Sequence, residues 1–271
     1  MTRIPALVFA ALLSASLEPV PQARATTQDD VLAATVLNGW QTGAGRQIAA
    51  LQLDLAPGWK TYWRSPGDAG IPPQFDWSGS ENLKSVNLLW PAPAVFSTNG
   101  MQSIGYHDQL ILPIEIEARD PSKPVTLAAE IELGICRDIC MPATLRLSAL
   151  IAAPGAPDAA IKAALREQPV PGNAAGLTAI ACEVEPIADG LRLTARLVLP
   201  RQGAAETVAF ETGDPSVWVS EAVSSRKGGE LIAMTELVPP SGQPFVLDRS
   251  GVTLTVISDA GAVEISGCPA P

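Results

Sequence analysis

From residue 125 to residue 151 the chain reads VTLAAEIELGICRDICMPATLRLSALI, two alternating runs joined by C-x-x-x-C. In the first run Val125, Leu127, Ala129, Ile131, Leu133 and Ile135 share one face, while Thr126, Glu130, Glu132, Gly134 and Cys136 take the other. A period of two is that of a strand with one buried face. After the cysteines, Leu145, Leu147, Ala149 and Ile151 alternate with Thr144, Arg146 and Ser148, so the two runs predict a hairpin with Cys136 and Cys140 at its turn. Further strands are expected over 48–55 (IAALQLDL) and 110–118 (LILPIEIEA). With proline and glycine between them, residues 26–152 read as an antiparallel β-sandwich.

The period changes over 153–176. There Asp158 is placed to cap a short helix carrying Ile161, Ala164 and Leu165 on one side, and Pro169 to stop it. Alternation then returns in LRLTARLVL (Leu191, Leu193, Ala195, Leu197 and Leu199 on one face), in 252–257 and in 262–266. The expected organisation is all-β: a first sandwich over 26–152, a linker with a short helix over 153–176, and a second β domain over 177–271.

The cellular compartment decides what the cysteines can do. Met1 and Arg3 are followed by an apolar run from Ile4 to Leu17 and by small residues at Ala23 and Ala25, the pattern of a cleavable signal peptide over residues 1–25. The run is shorter than the roughly 20 residues needed to span a bilayer, and no later stretch reaches that length without charges, so the expected mature protein is exported and has no transmembrane segment. Export favours an oxidising environment in which four cysteines, Cys136, Cys140, Cys182 and Cys268, form two pairs. A net charge of -10 argues against nucleic-acid binding, which calls for a basic face.

The two pairs differ in what they can do. Joining Cys182 to Cys268 closes a loop of about 87 residues, for which chain entropy gives roughly 4 to 5 kcal/mol of stabilisation. Joining Cys136 to Cys140 closes about 5 residues and gives roughly 2 kcal/mol. The first pair reads as structural and the second as a poor staple. Residues four apart in an extended strand are about 13 Å apart, whereas a disulfide holds Cα atoms within roughly 4.4–6.8 Å, so CRDIC must bend tightly. Bridges of that kind are the easily reduced ones. Arg137 and Asp138 suit a turn open to solvent, and the Arg137 charge favours a thiolate.

Other readings stand beside this one. Cys136 and Cys140 can simply staple a turn. His107, in GYHDQ, can tune the sulfurs, join them in a copper site, or lie on the surface. Met101 and Met141 can be soft copper ligands or packing. In GWKTYWRSPGDAGIPPQFDW, Trp59 and Trp77 are read as core, with Trp63 left open.

GWKTYWRSPGDAGIPP, WPAP, GYHDQLILPIEI and CRDICMP, in this order, resemble the amino-terminal periplasmic domain of the DsbD/ScsB thiol:disulfide interchange proteins. The resemblance covers residues 37–150 and is closest to the ScsB type, which is linked with copper tolerance. It implies two immunoglobulin-like modules and a periplasmic redox function that uses no cofactor. It also implies a redox pair at Cys136 and Cys140, with Cys140 forming the mixed disulfide and Cys136 resolving it. In the DsbD branch an aromatic-tipped loop covers the cysteines. Here the matching stretch makes Phe96 the candidate cap and Tyr106 its neighbour. The C-x3-C spacing differs from the C-x5-C of that branch, and the acidic pair beside its cap has no counterpart in FSTNG. Full-length members continue into a multi-helix membrane domain and a thioredoxin domain, neither of which this sequence shows. The implied partners are therefore a separate membrane-embedded thiol donor, DsbD/CcdA-like, and a periplasmic thioredoxin-fold acceptor, ScsC- or DsbC-like. The competing class is a periplasmic copper-binding protein or chaperone using Cys136, Cys140 and His107 or a methionine. C-x-x-x-C before proline resembles the Sco chaperones, but their thioredoxin-like fold does not suit the alternating strands.

Overall fold

The computed structural model describes residues 27–98 and 100–271; the signal peptide expected over 1–25 lies outside them. The first module contains strands β1 (Leu32–Gly43), β2 (Arg46–Leu55), β3 (Lys60–Tyr62), β4 (Gln74–Asp76), β5 (Leu83–Leu88), β6 (Ala94–Thr98), β7 (Met101–His107), β8 (Gln109–Ala118), β9 (Val125–Cys136) and β10 (Cys140–Ile151). They form two antiparallel sheets, in the orders β1-β2-β8-β5 and β10-β9-β3-β7-β6, with β4 also against β9. The alternation in β9 is realised as expected, its apolar positions from Val125 to Ile135 lying in the core. Leu51, Leu112, Ile114 and Ile116 face them from the other sheet.

Two features of this sandwich follow from local chemistry. Pro113 sits within β8, where a missing N–H would normally break a ladder. Its carbonyl accepts from Leu89 N, just past the end of β5 at Leu88, so no ladder donor is lost there. β2 is apolar on both faces because Ile48 and Ala50 point outward under a helix. That helix, α1 (Ala159–Arg166), begins at Asp158, whose carboxylate accepts from Ala160 N and Ile161 N at 2.8 and 2.9 Å. Ile161 is fully buried against Ile48 and Ala50, so the linker is fastened to the outer side of the first sheet.

The second module contains β11 (Val170–Pro171), β12 (Ala179–Pro186), β13 (Leu191–Val198), β14 (Glu206–Glu211), β15 (Trp218–Val219), β16 (Val223–Lys227), β17 (Glu230–Val238), β18 (Thr253–Ser258) and β19 (Gly261–Ser266). Its sheets run β11-β19-β18-β14 and β12-β13-β17-β15, with β16 also on β17. One short pair, β11 with β19, is parallel. The rest is antiparallel, and the fold class is the all-β, two-sandwich immunoglobulin-like arrangement expected. The core holds Leu193, Leu197, Leu254, Val256 and Phe210.

The modules touch. Arg64, whose guanidinium lies 4.6 Å from the Trp63 ring centroid, donates to Glu211 at 2.9 Å and also to Glu264. Ala209, Ile257 and Ala262 of the second module pack into the core cluster of the first.

Candidate redox site

The β9–β10 ladder runs without a slip from Val125 opposite Ile151 to Cys136 opposite Cys140. The full register brings the two sulfurs face to face across a loop of Arg137, Asp138 and Ile139, and they are joined, with Cα atoms 4.1 Å apart. The sulfurs are not equivalent. Cys136 is 1% exposed on the inner strand, while Cys140 is exposed on β10, the edge of its sheet. The other disulfide, Cys182 to Cys268, has both residues buried. Arg249 donates to the carbonyls of both its cysteines, at 2.8 and 3.3 Å.

Residues 28–152 match the family described as thiol:disulfide interchange protein DsbD, N-terminal. That stretch is a DsbD amino-terminal domain. The fold of the whole chain is also that of the crystal structure of the N-terminal periplasmic domain of ScsB from Proteus mirabilis. The two align over 91% of this chain and 96% of that one, at 22% identity and a TM-score of 0.68. A marsupial T cell receptor aligns over 87% of this chain and 94% of its own, at 11% identity and a TM-score of only 0.17. Among curated proteins none matches.

Around the Cys136–Cys140 pair the sheet register sets the neighbours. Opposite residues of antiparallel strands share a face, so Cys140, Cys136, Lys60 and His107 form one row across β10, β9, β3 and β7. Tyr62, two positions along β3 from Lys60, lies on the same side. Its hydroxyl is 2.8 Å from Cys136 Sγ, 3.5 Å from Cys140 Sγ and 3.3 Å from the Ala69 carbonyl. A disulfide sulfur only accepts, so the phenol is the donor. Burial pushes the Tyr62 phenol up, so it keeps its proton at neutral pH. Gly134 makes room for this ring: a Cβ there would stand 2.9 Å from Tyr62 Cε2 and 2.8 Å from Ile71 Cβ.

The residues expected around the sulfurs separate into three groups. Arg137 and Asp138 are in the loop, but they bond each other at 2.9 Å, and the guanidinium lies 5.5 Å from the Trp59 ring centroid, so its charge is already engaged. Phe96 and His107 lie farther across the sheet. The Phe96 ring stands 5.1 Å from Lys60 Nζ and edge-on to His107 at 5.9 Å, and β6 is three strand spacings, about 14 Å, from β9. Tyr106 points into the core instead, stacked on Trp90 with its hydroxyl on the Pro91 carbonyl at 2.8 Å, because it is one residue out of phase with His107.

The copper reading needs His107 beside the thiolates. His107 is two strand spacings, about 9–10 Å, from Cys136 along the backbone, with Lys60 between them, and it pairs with Asp108 at 2.6 Å. Among the described residues no three His, Cys, Asp or Glu side chains gather as a metal site. Met101 is exposed at the β6–β7 turn and Met141 packs against the core. Trp59 and Trp63 are both buried, and Trp77 is half-buried against the same cluster.

Tyr62 and Lys60 are the site residues that the sequence pattern did not single out. Burial lowers the Lys60 pKa, and its ammonium donates to Ser103 Oγ at 3.1 Å. The available signal was the alternation in WKTY, with Trp59 and Thr61 inward and Lys60 and Tyr62 outward, too short to stand out before β9 was known to lie alongside.

Proposed function

We infer that the chain is a periplasmic thiol:disulfide shuttle that passes two electrons from a membrane-embedded dithiol donor to a thioredoxin-fold acceptor. The observation that carries this reading is the asymmetry of the pair: Cys140 is exposed at the sheet edge, Cys136 is buried, and the Tyr62 hydroxyl stands near both sulfurs. In the reduced protein the Cys140 thiolate attacks one sulfur of the acceptor's disulfide. A mixed disulfide forms, and the acceptor's other sulfur leaves as a thiolate and takes a proton. Cys136, once deprotonated, then attacks Cys140 Sγ. The Cys136–Cys140 bond closes and the acceptor's second thiolate is released, so the acceptor is reduced and this protein oxidised. The Tyr62 hydroxyl stabilises whichever sulfur carries the charge. Exposed Ile139 and Ile71 (60% and 40%) flank this edge and give the acceptor an apolar contact.

Titration in glutathione buffers with cysteine labelling tests the reading. Cys136 and Cys140 should become labelled at a far less negative potential than Cys182 and Cys268. Equal resistance of both pairs would refute the shuttle. A Cys136→Ser protein should accumulate mixed disulfides on Cys140, and these identify donor and acceptor.

A further inference from the structure

The modules meet around a cleft of about 450 Å3. One wall is the segment 64–72 with Gln102 and Ile104; the other is β14, of which Thr207, Val208, Ala209, Phe210 and Glu211 all line the space. Side chains alternate along a strand, so five successive residues border one space only if it runs along the strand's edge. β14 is the last strand of its sheet and ladders with β18 on one side only. Its other edge therefore turns backbone donors and acceptors to the cleft, a template for an added strand.

The chemistry of the cleft selects what can lie there. Val208, Phe210 and Val217 border it but are packed in the second module's core, so its accessible apolar surface comes from Trp218, 50% exposed, and from exposed Pro72 and Pro215. Asp68, Asp214 and Glu221 are exposed around it. The one cation among its lining residues, Arg64, is held by Glu211 and Glu264. The segment 64–72 also belongs to the redox site, since Ala69 O meets the Tyr62 hydroxyl and Ile71 lies over Gly134.

Resting on the shuttle reading above, we propose that the cleft receives an extended segment of the disulfide-bearing acceptor, alternating apolar residues with lysine or arginine. The segment adds to the free edge of β14 and anchors the acceptor beside the redox pair. The second module is then a docking half, and the first module does the chemistry.

The probe is a short labelled peptide of alternating valine and lysine, read by fluorescence anisotropy on the whole mature chain, with a valine–glutamate peptide as its counterpart. The lysine peptide should bind and the glutamate peptide should not. Asp68→Lys with Glu221→Lys should weaken binding at least about tenfold, because like charges then face the peptide. Glu183→Lys with Glu185→Lys makes the same change in net charge on exposed β12 residues outside the cleft and should change binding less than about twofold. Hydrogen exchange should slow at the β14 amides when the peptide binds. Equal binding of the two peptides, equal weakening by the two double variants, or unprotected β14 amides would each overturn the proposal. A Cys136→Ala/Cys140→Ala protein should bind the lysine peptide as well as the parent does. Failure of the glutathione titration therefore removes the shuttle without touching this result, and failure of the peptide removes the docking site without touching the shuttle.

Discussion

The two disulfides occupy comparable scaffolds and are set up in opposite ways. Cys182–Cys268 ties β12 to the residues after β19, is buried at both ends, and is closed over by Arg249 and by the Cys182 N–H on the Pro269 carbonyl. Cys136–Cys140 bridges partners that the β9–β10 ladder already holds together, and one of its two residues, Cys140, is exposed. A crosslink that constrains the unfolded chain little and is open to attack serves chemistry better than stability. What separates a staple from a reagent here is the length of chain enclosed and access to one sulfur.

The comparison can be broken first at the staple. Replacing Cys182 and Cys268 by alanine should remove about 4 to 5 kcal/mol, read from denaturant unfolding, against about 2 kcal/mol or less for the Cys136/Cys140 pair. If the short pair proved the costlier loss, its reading as a weak crosslink would be wrong.

The next effect belongs to the second module alone. Glu206 and Arg226 form a pair whose side chains are 3% and 12% exposed, with contacts of 2.6 and 2.7 Å. Arg226→Met strands a buried carboxylate and should lower stability by about 3 kcal/mol. Hydrogen bonding from Arg226 holds the Glu206 carboxyl below its ordinary value. The stabilisation is therefore fully present above the unfolded pKa, about 4.3, and is lost as pH falls through the folded one. Acid titration of the parent should show this loss, and the Arg226→Met protein should lack it.

Smaller shifts should appear at the redox site. Gly134→Ala forces a Cβ against Tyr62 and Ile71 and should destabilise by roughly 1 to 3 kcal/mol. Tyr62→Phe should leave the fold unchanged and raise the thiolate pKa by about one unit, since one hydrogen bond to a charged sulfur is worth about 1.4 kcal/mol or more. The pH dependence of alkylation by iodoacetamide measures that shift. An unchanged profile would take Tyr62 out of the chemistry.

Much of the scaffold was legible because its longest strands carry their pattern alone. The faces of 125–135 and 191–199 and the Asp158 cap needed no partner to be read. β1 escaped because its register with β2 shifts between Asn38 and Trp40, so its apolar residues do not keep one phase. The cysteines were visible, but their surroundings were not. Which side chains stand beside Cys136 depends on β3, three residues long, lying between β9 and β7. The family resemblance pointed to Phe96 and Tyr106 as neighbours, with His107 an open candidate; cross-strand register places Tyr62 and Lys60 there.

The unbroken β9–β10 ladder has a kinetic consequence. Because twelve residue pairs close the hairpin without help from the sulfur bond, reduction leaves the thiols almost as near each other as before. The effective concentration of Cys136 at Cys140 is then very high. An intermolecular bond formed at Cys140 is short-lived in the parent protein. In the proposed shuttle cycle each acceptor is therefore released soon after its disulfide has been opened.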